Sequence, residues 1–316
     1  MKKFIIKILL LISPIAVLAV SMECLLRQIP NDYKYKKDYL DKHSGEIQVL
    51  ILGSSDAFFG INPLYFTQKT FNGCHVSQTL DLDLKIFKMY ENKFNDLKVI
   101  ILPISYFTLW GKLEEGVESW RIKNYAIYYG LDTESRLDNS ELLNGKLRIN
   151  IQRLYKYIFE KKDDISCSKL GWVATYGSEN MDDLEKTGKH TASYHSINTI
   201  YSEENLKIYN ENIMILNSFA EICNHRNLKL ILLTLPTYRT YRENLNVEQL
   251  NLMFETISNF ENEHNNCLYI NLLDDPDFIA KDFSDANHLS EIGAKKLSEK
   301  LIQYIDTLMR GESFGN

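Results

Sequence analysis

Gln48-Val49-Leu50-Ile51-Leu52-Gly53-Ser54-Ser55-Asp56 sets the frame for the whole chain. Its apolar run has no polar alternation, as expected of a strand buried on both faces, and Gly53 ends it where the backbone must turn. Residues 97–102, 228–235 and 268–272 read the same way, with a weaker run at 74–77. Between them the pattern becomes helical, over 81–94, 203–226, 247–264 and 291–309. The last of these repeats Leu297, Leu301, Ile305 and Leu308 at spacings of three and four. Strands alternating with helices predict an α/β fold with a mostly parallel sheet covered on both faces and right-handed crossovers.

The pattern breaks from Tyr106 to about Asn198, where no buried strand is visible and aromatics such as Trp110, Trp120, Tyr128 and Trp172 gather. This stretch reads as a partly helical cap between two strands. The 316 residues allow two domains or one with an insertion. The single interruption points to one α/β domain over 29–316, carrying a cap at about 106–198, behind an N-terminal segment 1–28. Most of the cap aromatics are expected to pack it onto the sheet, with stacking on sugar rings as the alternative.

That N-terminal segment is uncharged from Ile8 to Met22, and with its flanks about 23 residues are apolar, enough for one helical span. Lys2, Lys3 and Lys7 precede it, which predicts an inside N-terminus and an exported domain. A cleaved signal peptide is the rival reading, since Val17-Leu18-Ala19 resembles a cleavage site. Asn31 to Glu46 reads as a polar linker or short helix.

The net charge is −6, with the basic N-terminus leaving about −9 on the rest, which argues against a nucleic-acid partner held by phosphate contacts. The cysteines at 24, 74, 167, 223 and 267 have no paired spacing, which indicates neither a zinc site nor a disulfide framework and leaves one disulfide open. There is no Gly-rich phosphate loop and no His-Glu-x-x-His, so no cofactor and no metal are expected. The acidic run from Asp274 to Asp285 lacks the alternating ligands of an EF-hand and reads instead as an acidic rim.

In an open parallel sheet, ligands bind beyond the carboxyl ends of the strands. Gly53-Ser54-Ser55 follows the first run, and Asp285-Ala-Asn-His288-Leu-Ser-Glu precedes the last helix. A serine becomes a nucleophile when a neutral imidazole takes its proton and a carboxylate fixes the imidazole's tautomer. One loop carrying Asp285 and His288 supplies both. A Gly-x-Ser-x-Gly elbow is excluded because Ala57 stands at its second glycine.

These two blocks resemble the SGNH/GDSL hydrolase superfamily over roughly 46–105 and 200–310. The resemblance implies a flavodoxin-like three-layer α/β/α fold, with Ser55 as nucleophile, His288 as base and Asp285 as its orienting carboxylate. Ser54, standing where the family has Asp, is the alternative nucleophile. The family's oxyanion positions fall on Ser77 and Ser105 here, with Gln78 and Tyr106 as substitutes. His195 is a candidate for lining the cleft, as is Tyr238 for receiving substrate, while surface or cap roles are the alternative for His190 and His195. Membrane-anchored members with a Gly-Ser-Ser block are similar to teichoic acid D-alanylation proteins, which handle acyl groups on envelope polymers. The resemblance thus implies a membrane-anchored, extracytoplasmic acyl esterase or O-acyltransferase acting on a cell-surface glycan or acylated sugar, with a membrane acyl-donor protein as a partner for transfer. A non-catalytic envelope protein that scaffolds polysaccharide machinery is the alternative.

Overall fold

β1 (Val49–Ile51) pairs in parallel with β2 (Thr70–Asn72) on one side and β3 (Val99–Pro103) on the other. The structure, a computed structural model, describes residues 1–133, 135–174 and 183–310. β4 (Lys229–Thr234) and β5 (Cys267–Asn271) complete a five-stranded parallel sheet in the order β2-β1-β3-β4-β5. The chain steps out from β1 to β2 and returns on the other side of β1 to β3. The strand order therefore reverses between β1 and β3.

The unbroken apolar runs follow from this placement. Val49, Ile51, Val99, Ile101, Ile231 and Leu233 face a core that also takes in Leu297, Leu301 and Ile305. The alternate residues Leu50, Ile100, Leu230 and Leu232 are at most 1% exposed, so the second face is covered as well. β2 lies at 70–72, ahead of the run expected at 74–77. It is a three-residue edge strand with Thr and Asn at its ends, too short and polar for its pattern to stand out.

The chain divides into two compact units, Met1–Asp38 with Val117–Ser166, and Tyr39–Gly116 with Cys167–Asn316. The second unit holds the sheet with α3 (Ser55–Gly60), α4 (Leu80–Tyr90), α7 (Leu184–His195), α8 (Glu203–His225), α9 (Arg239–Arg242), α10 (Val247–Glu263) and α11 (Glu291–Arg310). The first holds α1 (Lys2–Gln28), most of α2 (Asp32–His43), α5 (Ile122–Asn124) and α6 (Leu147–Phe159). The stretch 31–46, expected as a linker or short helix, is largely α2. Residues 134 and 175–182 of the expected cap lie outside the described residues.

α1 contains an 18-residue window of mean hydropathy 2.5, none of it buried. The helix is long and apolar enough to cross a membrane, as a signal sequence also is. Around the other end of this unit, Glu141 is 1% exposed and is paired with Lys123 at 2.8 Å and Arg153 at 2.9 Å. The Tyr128 hydroxyl donates to it at 2.7 Å. A buried carboxylate with three such donors has its charge matched locally.

Candidate active site

At the end of β1, Gly53 takes φ +119°. A Cβ there would come within 2.8 Å of the Pro103 ring, so glycine alone lets this turn pack beside the end of β3. The Gly53 N–H donates to Asp83 Oδ1 at 2.8 Å, and the Gln78 amide donates to the same oxygen at 2.6 Å. Burial pushes the Asp83 carboxyl up to about 7 in spite of both donors. Ser54 then stands as the N-cap of α3 and Ser55 as its first residue.

The loop before α11 supplies the opposing groups. Phe283 and Leu289 form an antiparallel bridge. The Ser284 N–H donates to the His288 carbonyl at 3.0 Å, and the Ser290 N–H to that of Asp282 at 2.9 Å. Gly293 seats the helix start on this loop, since a Cβ there would lie 2.1 Å from the Asp282 carbonyl oxygen. Asp285 Oδ1 accepts the N–H of Asn287 at 2.9 Å and of His288 at 2.8 Å. Its Oδ2 lies 2.9 Å from His288 Nδ1, while His288 Nε2 lies 3.0 Å from Ser55 Oγ. A carboxylate at Nδ1 favours the hydrogen on that nitrogen and leaves Nε2 free to accept. Ser55, His288 and Asp285 are therefore brought together in the geometry of a nucleophile, a base and an orienting carboxylate.

A second carboxylate adjoins them. Asp56 is 6% exposed, and its Oδ1 lies 3.7 Å from His288 Nε2. Asn287 Nδ2 donates to Oδ1 at 3.1 Å, and the Ser105 hydroxyl donates to Oδ2. Burial dominates and pushes the Asp56 carboxyl up, against His288, Ser105 and Asn287. Burial also opposes the protonated imidazole of His288. There, however, the hydrogen bond and charge of Asp285, backed by Asp56, win and hold the ring above its ordinary value. For Asp285 burial is outweighed by the His288 ring and two backbone N–H groups, so its carboxyl stays below the usual range.

The remaining sequence candidates make the following contacts in the structure. Ser105 is tied to Asp56, and its N–H donates to Thr108 Oγ1 at 2.8 Å. Gln78 is buried with its amide on Asp83 and, at 3.4 Å, on the Gly73 carbonyl. Ser77 holds a left-handed φ of 59° on the turn after β2. The Tyr106 hydroxyl lies 3.0 Å from Ser196 Oγ and accepts the Asn246 N–H at 2.9 Å. His195 Nδ1 meets the Tyr241 hydroxyl at 2.8 Å. Burial, reinforced by the charge of His288, lowers the His195 ring to about 3, so it stays neutral. Tyr238 braces the loop from its backbone, its N–H donating to the Ala286 carbonyl at 2.9 Å. Within the acidic run Asp274 pairs with Arg242, Asp275 and Asp277 with Lys300, and Asp282 with Lys296, while the Asp274 and Asp277 side chains stay largely exposed.

Asp56 and Asn287 escaped the sequence reading. The one available signal is adjacency, since each directly neighbours a member of the Ser55–His288 pair.

No family model matches the chain, and no curated protein does. Among solved structures, it is similar to a Streptococcus pneumonia protein described as a platelet activating factor, with 12% identity, TM-score 0.42, and coverage of 94% of this chain and 98% of that one. A Bacteroides fragilis protein described as an acylhydrolase gives 10% identity and TM-score 0.41, covering 86% of this chain and 96% of its own. A GDSL-like lipase from Bacteroides thetaiotaomicron gives 11% and 0.42, covering 87% and 99%. With identities and TM-scores this low, the chemistry of the site rests on its own geometry.

Proposed function

We propose that the chain is a serine-dependent acyl esterase or O-acyltransferase of the SGNH/GDSL kind, held at a membrane by α1 and acting outside the cytoplasm on an acylated cell-surface glycan. One observation carries the chemistry: the contacts of 3.0 Å and 2.9 Å that link Ser55 Oγ through His288 to Asp285. His288 takes the Ser55 proton as Oγ adds to the acyl carbonyl. The tetrahedral intermediate then expels the alcohol, which leaves with that proton. Water or a sugar hydroxyl adds to the acyl-enzyme by the same route and releases Ser55. Hydrolysis and transfer share these residues, and a membrane acyl-donor protein would serve only the second. Pairing of Asp274, Asp275, Asp277 and Asp282 with arginine and lysine balances most of the charge of that run, which suits a neutral acyl sugar.

The second reading is a non-catalytic envelope protein that binds or scaffolds polysaccharide machinery. It is favoured by the commitment of the Ser105 hydroxyl to Asp56 and of the Gln78 amide to Asp83, which takes two side-chain donors away from an oxyanion. The full chain with p-nitrophenyl acetate and a fluorophosphonate probe separates the two. Turnover and labelling that vanish in Ser55→Ala support catalysis. An inert, unlabelled wild-type chain sinks it and leaves the scaffold.

A further inference from the structure

α6 is built inside out. Leu147, Ile151, Tyr155 and Ile158 recur at spacings of four, four and three, so they share one face, with Phe159 beside them. All five are exposed, Leu147 at 58% and Phe159 at 71%. The inward side carries Asn150 and Arg153 beside half-buried Leu154 and Tyr157, so it is more polar than the exposed side. Asn150 is buried and donates to the Glu141 carbonyl at 3.1 Å, and Arg153 bridges Glu141 at 2.9 Å and Asp164 at 2.7 Å. A helix on a water-facing surface shows the opposite arrangement.

The surroundings of α6 indicate what covers that face. The segment just before it is bound to the C-terminal end of α1. Glu23 accepts the N–H groups of Glu141 at 3.0 Å and Leu142 at 2.9 Å, and Arg27 donates to the Asn139 carbonyl at 2.6 Å. α6 itself packs on α1. A bilayer span of about 20 residues counted from Phe4 ends near Glu23, so the segment leading into α6 is held where α1 would leave the hydrocarbon. The stretch 146–162 is also basic in an acidic chain: Lys146, Arg148 and Lys156 are exposed, and Glu160 is its sole acidic residue.

We propose that α6 lies in the membrane interface, its apolar face among acyl chains and its basic side chains among anionic headgroups. The proposal rests on α1 being a bilayer span. A lipid surface fits better than a protein partner, because α6 packs on the helix taken here as the span and because its basic side chains match phosphate headgroups.

Photo-crosslinking tests it in the full chain, reconstituted in vesicles of phosphatidylethanolamine and phosphatidylglycerol. p-Benzoylphenylalanine is placed at Tyr155, at Phe159 or, within α1, at Leu18, and adducts are identified by mass spectrometry. Lipid adducts are expected at all three positions. Leu147→Glu with Ile151→Glu should lower the yield at position 159 about tenfold and leave that at 18 unchanged. Lipid at 18 with none at 155 or 159 overturns the proposal while keeping the span. Cross-links from 159 to another protein chain in place of lipid overturn it in favour of a protein partner. No lipid at 18 removes the span and the proposal with it.

Discussion

Asp285 and Asp56 attend the two nitrogens of one imidazole, Asp285 at 2.9 Å from Nδ1 and Asp56 at 3.7 Å from Nε2. The first is a local construction. Its carboxylate binds two N–H groups of its own loop as well as the ring, and these donors keep it ionised. The second is assembled from distant pieces of chain, Ser105 from the end of β3 and Asn287 from the last loop, and burial pushes it toward the neutral form. Two identical side chains beside one ring thus serve different ends. In the proposed chemistry Asp285 would orient the base, while Asp56 would set the electrostatic background against which the base exchanges a proton with Ser55.

The sharpest way to break this comparison is to remove the centre it is drawn around. Ser55→Ala or His288→Ala should lower ester turnover about 10⁵–10⁶-fold, measured as kcat on p-nitrophenyl acetate. Retained activity would detach both carboxylates from catalysis. Next in size is Asp285→Asn, which keeps the shape but presents an amide to Nδ1 and disfavours the productive tautomer. A loss of about 10³–10⁴-fold is expected.

Asp56→Asn should act on pH dependence more than on rate. Activity needs the neutral imidazole, so kcat/KM falls as pH drops through the His288 value, which both carboxylates hold above 6.5. Without Asp56 one source of that elevation is gone, and the acid limb should move to lower pH with a plateau within about tenfold of wild type. An unmoved limb would mean that Asp56 only props Ser105 and Asn287 in place.

The smallest effect is on stability. The folded Asp83 value of about 7 exceeds its ordinary 3.8, so between these values the native chain binds more protons than the unfolded one. The Asp83 contribution to stability is therefore full below 3.8, declines as pH rises to about 7, and stays lost above. Asp83→Asn keeps an oxygen for the Gly53 N–H and should flatten this decline in a series of thermal melts. A slope equal to wild type would show that Asp83 does not carry it.

The same contrast governs what could be read before folding. Asp285 and His288 are three residues apart on one loop ahead of a periodic helix, so their pairing is written in local spacing. The long strands were equally legible, because burial on both faces demands unbroken apolar runs. The Asp56–Ser105–Asn287 cluster joins residues 49 and 231 positions apart, and only the strand order around β1 and β3 brings them together. Nothing in the sequence reveals that Asp83, five positions after the oxyanion candidate Gln78, is buried and accepts from its amide. β2 was misplaced for a simpler reason, since three residues are too few to show a period.

The 233 positions between Ser55 and His288 also bear on how the protein is made. Ser55 is synthesised before the loop that carries His288, and in the proposed reading it is exported ahead of its base. Until that loop docks, the hydroxyl is an ordinary alcohol with no group to take its proton. The nascent chain can thus pass acylated lipids and chaperones without reacting with them. In the proposed reading, competence appears when the loop carrying Asp285 and His288 docks against Ser55.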